Sequence, residues 1–345
     1  MTTMSPDPQP TAPRVEDAAV VTAVRAGDEA MFGRLTERHR RELHVHCYRM
    51  LGSFDEAEDL VQETLLRAWH GRRSFARRST FRAWLYAIAT NTCLDHLRRG
   101  RRRALPYQLQ RPGETDAPEY PDVAWLQPYP DALLDEADPE SLMIAKETVS
   151  LAFLAAIQLL TPRQRAVLLL REVSGWTGPE IAAALDCSVA AVDSALQRAR
   201  ASLQRNTPDD RHDWSVQPST AQEDRLLGRY IAAHEAADVD ALARLLADTA
   251  RFTMPPRAVW FEGRDAVVAE FRRGWGRDRA GDWRLVPARA NRQPAAAAYL
   301  RTWGDSMYRS FGFVVLGLSG VAISEITAFA YPELFPVSGF ASTLP

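Results

Sequence analysis

The chain has 345 residues and a mass of 38.6 kDa, so we expect two or three domains rather than one. Hydrophobic residues make up 46% and charged residues 25% of the sequence, which excludes a chain too polar to build cores. The formal net charge is only -2, but arginines crowd between residues 67 and 103, whereas residues 114–140 are almost purely acidic. This segregation predicts a basic patch and an acidic linker.

The three cysteines, Cys47, Cys93 and Cys187, lie far apart and show no Cys-x-x-Cys spacing. This pattern argues against a zinc ribbon or a disulfide framework and fits a reduced compartment. Residues 1–14 have no apolar core, so we interpret them as a disordered polar tail rather than a signal peptide. No stretch reaches 18 apolar residues, and we therefore expect no membrane span and a cytoplasmic protein.

Residues 15–104 show helical periodicity with few helix breakers, and Ser53 or Asp55 can cap the helix in "DEAEDLVQETLLRAW". The apolar stripe of this helix faces inward, which leaves a leucine exposed among acidic and polar residues. Such a face is typical of protein docking rather than of DNA binding; a merely solvated acidic face is the alternative. The candidate docking residues are Asp59, Gln62, Glu63 and Leu66.

The next helical stretch, "FRAWLYAIATNTCLDHLRRGRRR", runs from Phe81 to Arg103. A helical wheel places Phe81 and Trp84 in the core and predicts that Arg82, Tyr86 and Thr90 face the other way. Aromatic rings stack on unpaired bases, amides hydrogen-bond base edges, and arginines neutralise phosphates. The stretch therefore predicts binding of melted DNA, although a packed helix with a basic, solvated tail also fits.

Residues 105–139 are rich in proline and acid and are predicted to form a linker. Helices resume over residues 140–206. There a helix begins at Thr161–Pro162, a short helix spans 178–185, a tight turn follows at Asp186, and a longer helix begins after Ser188. This is the spacing of a helix-turn-helix. Aspartate in the turn is tolerable because it accepts a left-handed backbone better than most residues.

The second helix of this motif exposes short or polar residues that suit approach to a major groove. An ordinary three-helix bundle with a solvated arginine face is the alternative. The candidate DNA-contacting residues are Ser188, Ala190, Ala191, Ser194, Gln197 and Arg198.

A second linker is predicted at residues 207–222, and residues 223–345 alternate between helices and short strands, with clear strands around 307–330. His234 is the only histidine after the second linker, and catalysis there would need an acid partner for it, so we interpret it as a surface or packed residue. Several aromatic residues could line a pocket or simply fill a core: Trp260, Phe261, Trp275, Trp283, Trp303 and Phe329. The cluster of His39, His44, His46 and Cys47 has spacings that do not suit one helical face, and no metal or cofactor is predicted.

These motifs resemble regions 2 and 4 of the extracytoplasmic-function (ECF) sigma factors, a small two-domain class of the sigma-70 family. The resemblance spans about residues 17–203 and rests on "AEDLVQETLLRAW", "STFRAWLYAIATNTCLDHLRR" and the "LTPRQRAVLLL" to "ALQRAR" block. It implies two all-α domains, residues 15–104 and 140–206, with core RNA polymerase and promoter DNA as partners. It further implies that the docking residues above bind the polymerase and that the helix after Ser188 reads the minus-thirty-five element. The residues implied to capture the melted minus-ten element are Arg82, Tyr86, Thr90, Asn91, His96, Arg98 and Arg99.

The connector "WLQPYPDALLDE" and the segment from "LLGRYIAAHEAADVDALARLL" to "GRDAVVAEFRRGW" are similar to a subgroup that carries a C-terminal SnoaL-like domain. This resemblance implies an α+β cystatin-like cone over residues 223–345, in which a curved sheet closes a conical pocket. The glycine-rich DGGGK-type motif of one regulatory subgroup is absent from the sequence. The implied partner of this domain is a small-molecule ligand or an intramolecular contact with the sigma regions.

Three functions compete on this basis. The leading prediction is a sigma factor that binds core polymerase and promoter DNA, does no chemistry of its own, and is modulated by its C-terminal domain. The second is an independent helix-turn-helix regulator fused to a ligand-binding or enzymatic domain. The third makes the C-terminal domain an isomerase, cyclase or hydrolase; the missing acid/base pair counts against it.

Overall fold

The computed structural model describes residues 22, 25–75, 80–99, 103–114, 124–135, 149–206, 221–276 and 279–345, with the backbone alone for residues 99, 103, 135 and 206. The predicted N-terminal tail, residues 1–14, lies outside these ranges. So do residues 115–123 and 136–148, in and after the predicted acidic linker, and residues 207–220 of the second linker.

Three long helices open the described chain: α1 Glu29–Leu51, α2 Phe54–Gly71 and α3 Phe81–Arg99. Of the two predicted caps of α2, Ser53 is the residue used, because its Oγ accepts a hydrogen bond from the Glu56 backbone N–H at 3.2 Å. Gly52 separates α1 from α2 with a left-handed φ of 73°, a conformation that glycine adopts without strain. The sharp turn folds α2 back onto α1, and α3 packs against both.

Four further helices form the second helical unit: α4 Leu151–Gln158, α5 Pro162–Leu168, α6 Gly178–Ala184 and α7 Val189–Asn206. Helix α5 begins at the predicted Thr161–Pro162 step and continues into a π-helical turn at Leu169–Val173. Helices α6 and α7 form the predicted helix-turn-helix. In its turn Asp186 has a left-handed φ of 47°, and the Ser188 Oγ accepts the Ala191 backbone N–H at 3.2 Å.

The C-terminal domain contains helices α8 Ala221–Glu235, α9 Val239–Ala243 and α10 Arg264–Gly274. Its described strands are β1 Leu246–Thr253, β2 Trp260–Glu262, β3 Gly281–Ala290, β4 Gln293–Thr302, β5 Tyr308–Ser319, β6 Ala322–Phe329 and β7 Thr343–Leu344. They form one sheet in the order β2-β1-β6-β5-β4-β3, with β7 paired to β5. Only β1 and β6 pair in parallel among these strands. Register shifts between β1 and β6, β4 and β5, and β5 and β6 bend the sheet, as bulges do.

Both faces of this sheet are buried. Along β4, Ala295 and Ala297 belong to a core shared with the N-terminal helices, whereas Ala296 and Ala298 belong to a second core under α8 and α10. Successive side chains of a strand point to opposite faces, so a continuous apolar run such as this one must be covered on both sides. The two helical units therefore pack directly against the C-terminal domain.

The predicted linker, residues 105–139, is not a solvated spacer where it is described. Trp125, Leu126 and Tyr129 are buried, and residues 103–104 and 124–125 pair as two short parallel strands. A single helical turn, Asp131–Asp135, follows. Composition predicted a linker because proline and acid are abundant, but the aromatic and leucine side chains within that stretch fill the space between the domains. Among the described residues, no helix has the length and apolar character that a membrane crossing requires.

Candidate nucleic-acid interface

The acidic face of α2 is open to solvent as predicted. Asp59, Gln62 and Leu66 are exposed, Glu63 is half-buried and pairs with Arg67 at 2.8 Å, and the Leu66 side chain is 56% exposed. Leu66 lines a groove between α1 and α2 whose other lining residues include Phe32, Arg40, Gln62, Leu65 and Trp69. An apolar groove flanked by polar and charged groups is a surface suited to binding a protein.

The predicted exposure of α3 is wrong in part. Tyr86 is 6% exposed and Thr90 is completely buried, because α1 packs on that side of the helix. The Thr90 hydroxyl donates to the Tyr86 carbonyl at 2.8 Å and bonds His46 Nε2 at 2.9 Å. Arg82 is half-buried, and its Nε donates to Glu42 Oε2 at 2.6 Å. The helical wheel predicted that Arg82, Tyr86 and Thr90 lie on the side of α3 away from Trp84. That side is not open to solvent, because α1 packs against it.

Burial sets the protonation of this network. It lowers the pKa of His46 to about 3, with the nearby Arg49 charge acting in the same direction. For Glu42, burial acts to raise the pKa, but the hydrogen bond from His39 and the charge of Arg82 outweigh it and hold the pKa below its usual value. The network is therefore a neutral histidine beside a paired carboxylate, and it holds α3 against α1.

The C-terminal half of α3 carries three of the predicted minus-ten residues, Asn91, His96 and Arg98, at the surface. Asn91 is exposed, His96 pairs with Glu56 at 3.3 Å, and Arg98 pairs with Asp95 at 2.9 Å. Arg99 ends the helix, and its side chain lies outside the described part of the chain. These surface ion pairs are weak and can exchange for phosphate contacts.

The recognition helix α7 matches the prediction more closely. Ser188, Ala190, Ala191, Ser194, Gln197 and Arg198 are all exposed. Val192, Ala195 and Ala199 form the opposite, buried stripe. The outer face of α7 is therefore open along its first three turns, as a helix that enters a groove requires.

The predicted histidine cluster has structural partners. His39 pairs with Glu42 at 2.5 Å, His44 Nδ1 bonds the Tyr129 hydroxyl at 2.9 Å, and Cys47 is buried. No group of three or more metal-binding side chains occurs within the residues that the structure describes.

The two sigma-like helical units contact each other at α3. Asn91 Nδ2 donates to the carbonyl of Ala184, the last residue of α6, at 2.9 Å. The ring of Trp176, in the turn before α6, lies 6.5 Å from that of Tyr86. Helix α3, predicted to bind melted DNA, is thus partly covered by the helix-turn-helix unit.

Arg165 on α5 is a buried residue that also joins the two helical units. Its guanidinium is buried and donates to the carbonyls of Ile157 at 3.0 Å, Gln158 at 3.2 Å and Leu160 at 3.3 Å, and also to that of Met50. It thereby satisfies carbonyls at the end of α4 and one near the end of α1 with a single cation.

The residue that sequence reasoning missed is Asn291, in the turn between β3 and β4. It is completely buried with a left-handed φ of 55°. Its Oδ1 accepts the Tyr129 backbone N–H at 2.9 Å, while its Nδ2 donates to the Tyr48 hydroxyl at 2.8 Å and to the Val149 carbonyl at 2.7 Å. One amide of the C-terminal domain therefore contacts α1, the linker and the residue that leads into α4.

The sequence carried one signal for this turn. Asn291–Arg292 separates two strand-like runs, and asparagine tolerates the positive φ that tight hairpins need. Nothing in the sequence indicates its partners, since Tyr129 and Tyr48 lie 162 and 243 residues away.

A cavity of about 180 Å³, partly open to solvent, lies between the sheet and helices α8 and α10. Of the aromatic residues predicted to line a cone, Trp275, Trp283 and Phe329 do so. Trp303 is instead 68% exposed, Trp260 donates its indole N–H to the Gln110 carbonyl at 2.9 Å, and Phe261 packs in the second core. His234 lines the cavity and is 8% exposed, so it is packed as predicted.

Comparison with protein families gives three matches in chain order: Sigma-70 region 2 at residues 35–103, Sigma-70 region 4 at 150–203, and a SnoaL-like domain at 227–319. The ECF RNA polymerase sigma factor SigG of Mycobacterium tuberculosis strain H37Rv is 46% identical over 323 residues, which cover 93% of this chain and 86% of SigG. The chain belongs to the ECF sigma factors. It is therefore a sigma factor of RNA polymerase that acts in promoter recognition, and sigma factors are not enzymes.

Two further relatives fit this family. The ECF RNA polymerase sigma-E factor of Escherichia coli strain K12 is 32% identical over 192 residues, covering 55% of this chain and 93% of the relative. The crystal structure of the Mycobacterium tuberculosis ECF sigma factor SigJ matches 90% of this chain and 99% of its own with a TM-score of 0.58 and 22% identity, which shows the shared fold. The sigma factor therefore has helical regions 2 and 4 followed by a SnoaL-like α+β domain, as predicted. The alternative of a helix-turn-helix regulator is set aside, because region 2 and the full-length relative are those of sigma factors.

Proposed function

We propose that Asp59, Gln62, Glu63 and Leu66 on α2 form the surface through which this sigma factor docks on core RNA polymerase. Three observations support this assignment: the surface is exposed, Leu66 lines an apolar groove beside it, and no other described helix or linker covers it. We further propose that the protein acts in the cytoplasm, where polymerase and chromosome meet.

The docking assignment is tested by binding to core polymerase. Asp59→Arg inverts a charge on an exposed helix position and should weaken binding without unfolding α2, and Gln62→Ala should weaken it less. Glu333→Arg is the matched control, since Glu333 is an exposed acid of the C-terminal domain. If Asp59→Arg and Glu333→Arg bind core polymerase equally well, the docking surface lies elsewhere.

For promoter DNA we propose two contact sets. The first set reads the minus-thirty-five element and is supported by its exposure at the start and along one face of α7. It consists of the capping residue Ser188 and of Ala190, Ala191, Ser194, Gln197 and Arg198 on α7. Arg82, Asn91, His96, Arg98 and Arg99 on α3 contact the minus-ten element. Tyr86 and Thr90 are withdrawn from the second set because both are buried against α1.

We also propose that the C-terminal domain modulates activity by holding the sigma regions in a closed, inactive arrangement. The single observation that carries this is geometric. The two promoter elements are about 25 base pairs apart, which is roughly 85 Å along straight B-DNA. Ala184 contacts Asn91 directly, and the turn and α7 beyond it extend less than about 50 Å. Helices α3 and α7 therefore cannot occupy both elements until the regions separate.

The contacts of Asn291 support the C-terminal domain as the holder of this arrangement. Its side chain bonds Tyr48, Tyr129 and Val149, so separation of the regions must break buried hydrogen bonds. In this proposal, the contact between the C-terminal domain and the sigma regions modulates transcription initiation. We propose that the aromatic cavity around His234 additionally holds a small molecule.

A covalent tether tests the closed arrangement directly. Asn91→Cys and Ala184→Cys, placed in a Cys187→Ser background, would be joined with a short bis-maleimide. The tethered protein should fail to initiate transcription with core polymerase, because α3 and α7 can no longer separate. The same variant before cross-linking is the control and should initiate more than the tethered protein. The Asn91→Cys variant alone, treated with the same reagent, measures the loss that comes from the proposed DNA contact of Asn91. Initiation by the tethered protein at the control level would overturn the proposal.

A further inference from the structure

The cavity of the C-terminal domain has the lining of a binding site for an aromatic molecule. Its walls are formed by rings and short apolar side chains from α8, α10 and the sheet, including Phe252, Met254, Phe271, Trp275 and Trp283. A cavity of about 180 Å³ is somewhat larger than engineered apolar cavities of about 150 Å³ that bind benzene. It therefore has room for one or two fused rings.

One polar group in this lining lacks a partner. The Nδ1 atom of His234 is buried and has no hydrogen-bond partner among the described residues. The residue as a whole is only 8% exposed. Aromatic rings surround it, with centroid distances of 5.1 Å to Trp275, 5.6 Å to Trp283 and 5.8 Å to Tyr230. A buried polar atom without a partner is costly, so a ligand that pairs with it gains affinity.

The surroundings select a neutral ligand. Burial lowers the pKa of His234 to about 4, with the Arg279 charge acting in the same direction, so the imidazole is uncharged at neutral pH. Glu270, which also lines the cavity, is bound by Arg273 Nε at 2.8 Å and Nη2 at 2.5 Å. Arg279 is itself paired with Asp282 at 3.4 Å. An ionised ligand would thus be buried among apolar groups without an unpaired counter-charge, which is unfavourable.

The same contacts argue against catalysis. Glu235, the neighbour of His234 on α8, accepts the Leu285 backbone N–H at 2.8 Å. No carboxylate bonds the imidazole among the described residues, so His234 has no orienting or charge-stabilising partner of the kind that general bases use.

We infer that this cavity binds a neutral, planar aromatic molecule of one or two fused rings whose single hydroxyl, or similar group, hydrogen-bonds His234. The inference deepens the ligand-binding part of the proposed function and rests on it. The rings of the ligand would pack against the aromatic walls, edge-to-face or offset, as aromatic pairs prefer. The hydrogen bond to His234 would select hydroxylated rings over bare hydrocarbons.

Calorimetric titration of the full chain with 2-naphthol and with naphthalene tests the inference, since the two probes differ only in the hydroxyl. We expect one saturable site for 2-naphthol and weaker binding of naphthalene. His234→Phe keeps a ring and removes both nitrogens, so it should weaken 2-naphthol roughly three- to tenfold, which is the usual range for one hydrogen bond, and leave naphthalene within about twofold. Trp303→Ala, at an exposed tryptophan, should change neither affinity.

Met254→Trp fills the cavity and should abolish binding of both probes; circular dichroism and thermal unfolding would establish that the variant is folded. No saturable binding of 2-naphthol by the wild type would overturn the inference, as would an equal loss of both probes in His234→Phe or retained binding in a folded Met254→Trp. All these titrations use the sigma factor without polymerase or DNA. Their failure would therefore leave the tethering experiment on α3 and α6 unaffected, and the reverse also holds.

Discussion

The two helices proposed to bind DNA are displayed in opposite ways. On α7 the proposed contact residues are all exposed, and the buried stripe behind them is made of small apolar side chains. On α3 two of the predicted contact residues are buried against α1, and Asn91 bonds the end of α6. The structure thus presents the helix proposed to read duplex DNA, while it partly covers the helix proposed to bind melted DNA.

This difference indicates where regulation acts. In the proposed arrangement, duplex recognition by α7 needs no separation of the regions, whereas use of α3 and α7 together does. Changes that open the protein should therefore act on minus-ten binding and initiation, and they should leave duplex binding by α7 nearly unchanged.

The largest effect is expected from Asn291→Ala. The substitution leaves the Tyr129 N–H and the Val149 carbonyl without their side-chain partner and should destabilise the closed arrangement by about 3 kcal/mol, or roughly 100-fold. Hydrogen exchange of the full chain should then increase in α3 and α6 more than in the centre of α7, and initiation should rise. Val321→Ala, at an exposed turn of the same sheet, is the control. Unchanged exchange in Asn291→Ala would show that this amide does not hold the regions together.

Arg198→Ala tests the proposed role of the exposed helix, α7, in duplex binding. If Arg198 contacts a base, the loss should cost about 1 to 3 kcal/mol of duplex binding at the upstream element, once start-site mapping has identified it. The loss should be equal in the wild-type and Asn291→Ala backgrounds, because α7 is exposed in both. Arg200→Ala, which removes an equal charge two residues along α7, is the matched control. Equal losses in both variants would mean that Arg198 contributes charge without base recognition.

Lowering the pH should destabilise the packing of α3 against α1 and leave the stability of α7 unchanged. The folded-state pKa of His46 is about 3, below the value of about 6.5 in an unfolded chain, so its contribution to stability is present above pH 6.5 and is lost as the pH falls. The loss is about 1.4 kcal/mol per pH unit below that point, and therefore about 1.4 kcal/mol between pH 7.5 and 5.5. Amides of α1 and α3 should exchange faster at the lower pH after correction for intrinsic rates. His46→Asn should reduce the pH dependence of this exchange. The control, His70→Asn at an exposed position, should leave it unchanged. An equal increase of exchange in α7 at low pH would contradict the prediction.

The smallest effect is expected for Asn91→Ala. The hydrogen bond to Ala184 is solvent-exposed, and Asn91 Nδ2 also donates to the Ala87 carbonyl, so its loss should weaken closure by only about 0.5 to 1 kcal/mol. Minus-ten binding must be measured together with closure, since Asn91 is proposed to act in both. A gain in hydrogen exchange larger than that of Asn291→Ala would reverse the assigned importance of the two asparagines.

Much of region 4 was predictable because its signals are local. Thr161 and Ser188 cap helices through bonds to residues three positions away, and Asp186 turns the chain through its own positive φ, so short sequence windows contain these signals. The exposed face of α7 follows from helical periodicity, since one stripe packs and the other does not. On α3 the same periodicity failed, because a helix can be covered from two sides and its own sequence does not state how many neighbours it has.

The sequence by itself determined the helices, the helix-turn-helix, the sigma-factor family and the exposed acidic face of α2, because each depends on spacing within one segment. Tertiary structure alone decided that Tyr86 and Thr90 are buried, that the segment around Tyr129 is core rather than spacer, and that Asn291 joins α1, the linker and the start of region 4. The physical reason is that a buried hydrogen bond is specified by the positions of both partners. When those partners are 162 or 243 residues apart, only the packed domains bring them together.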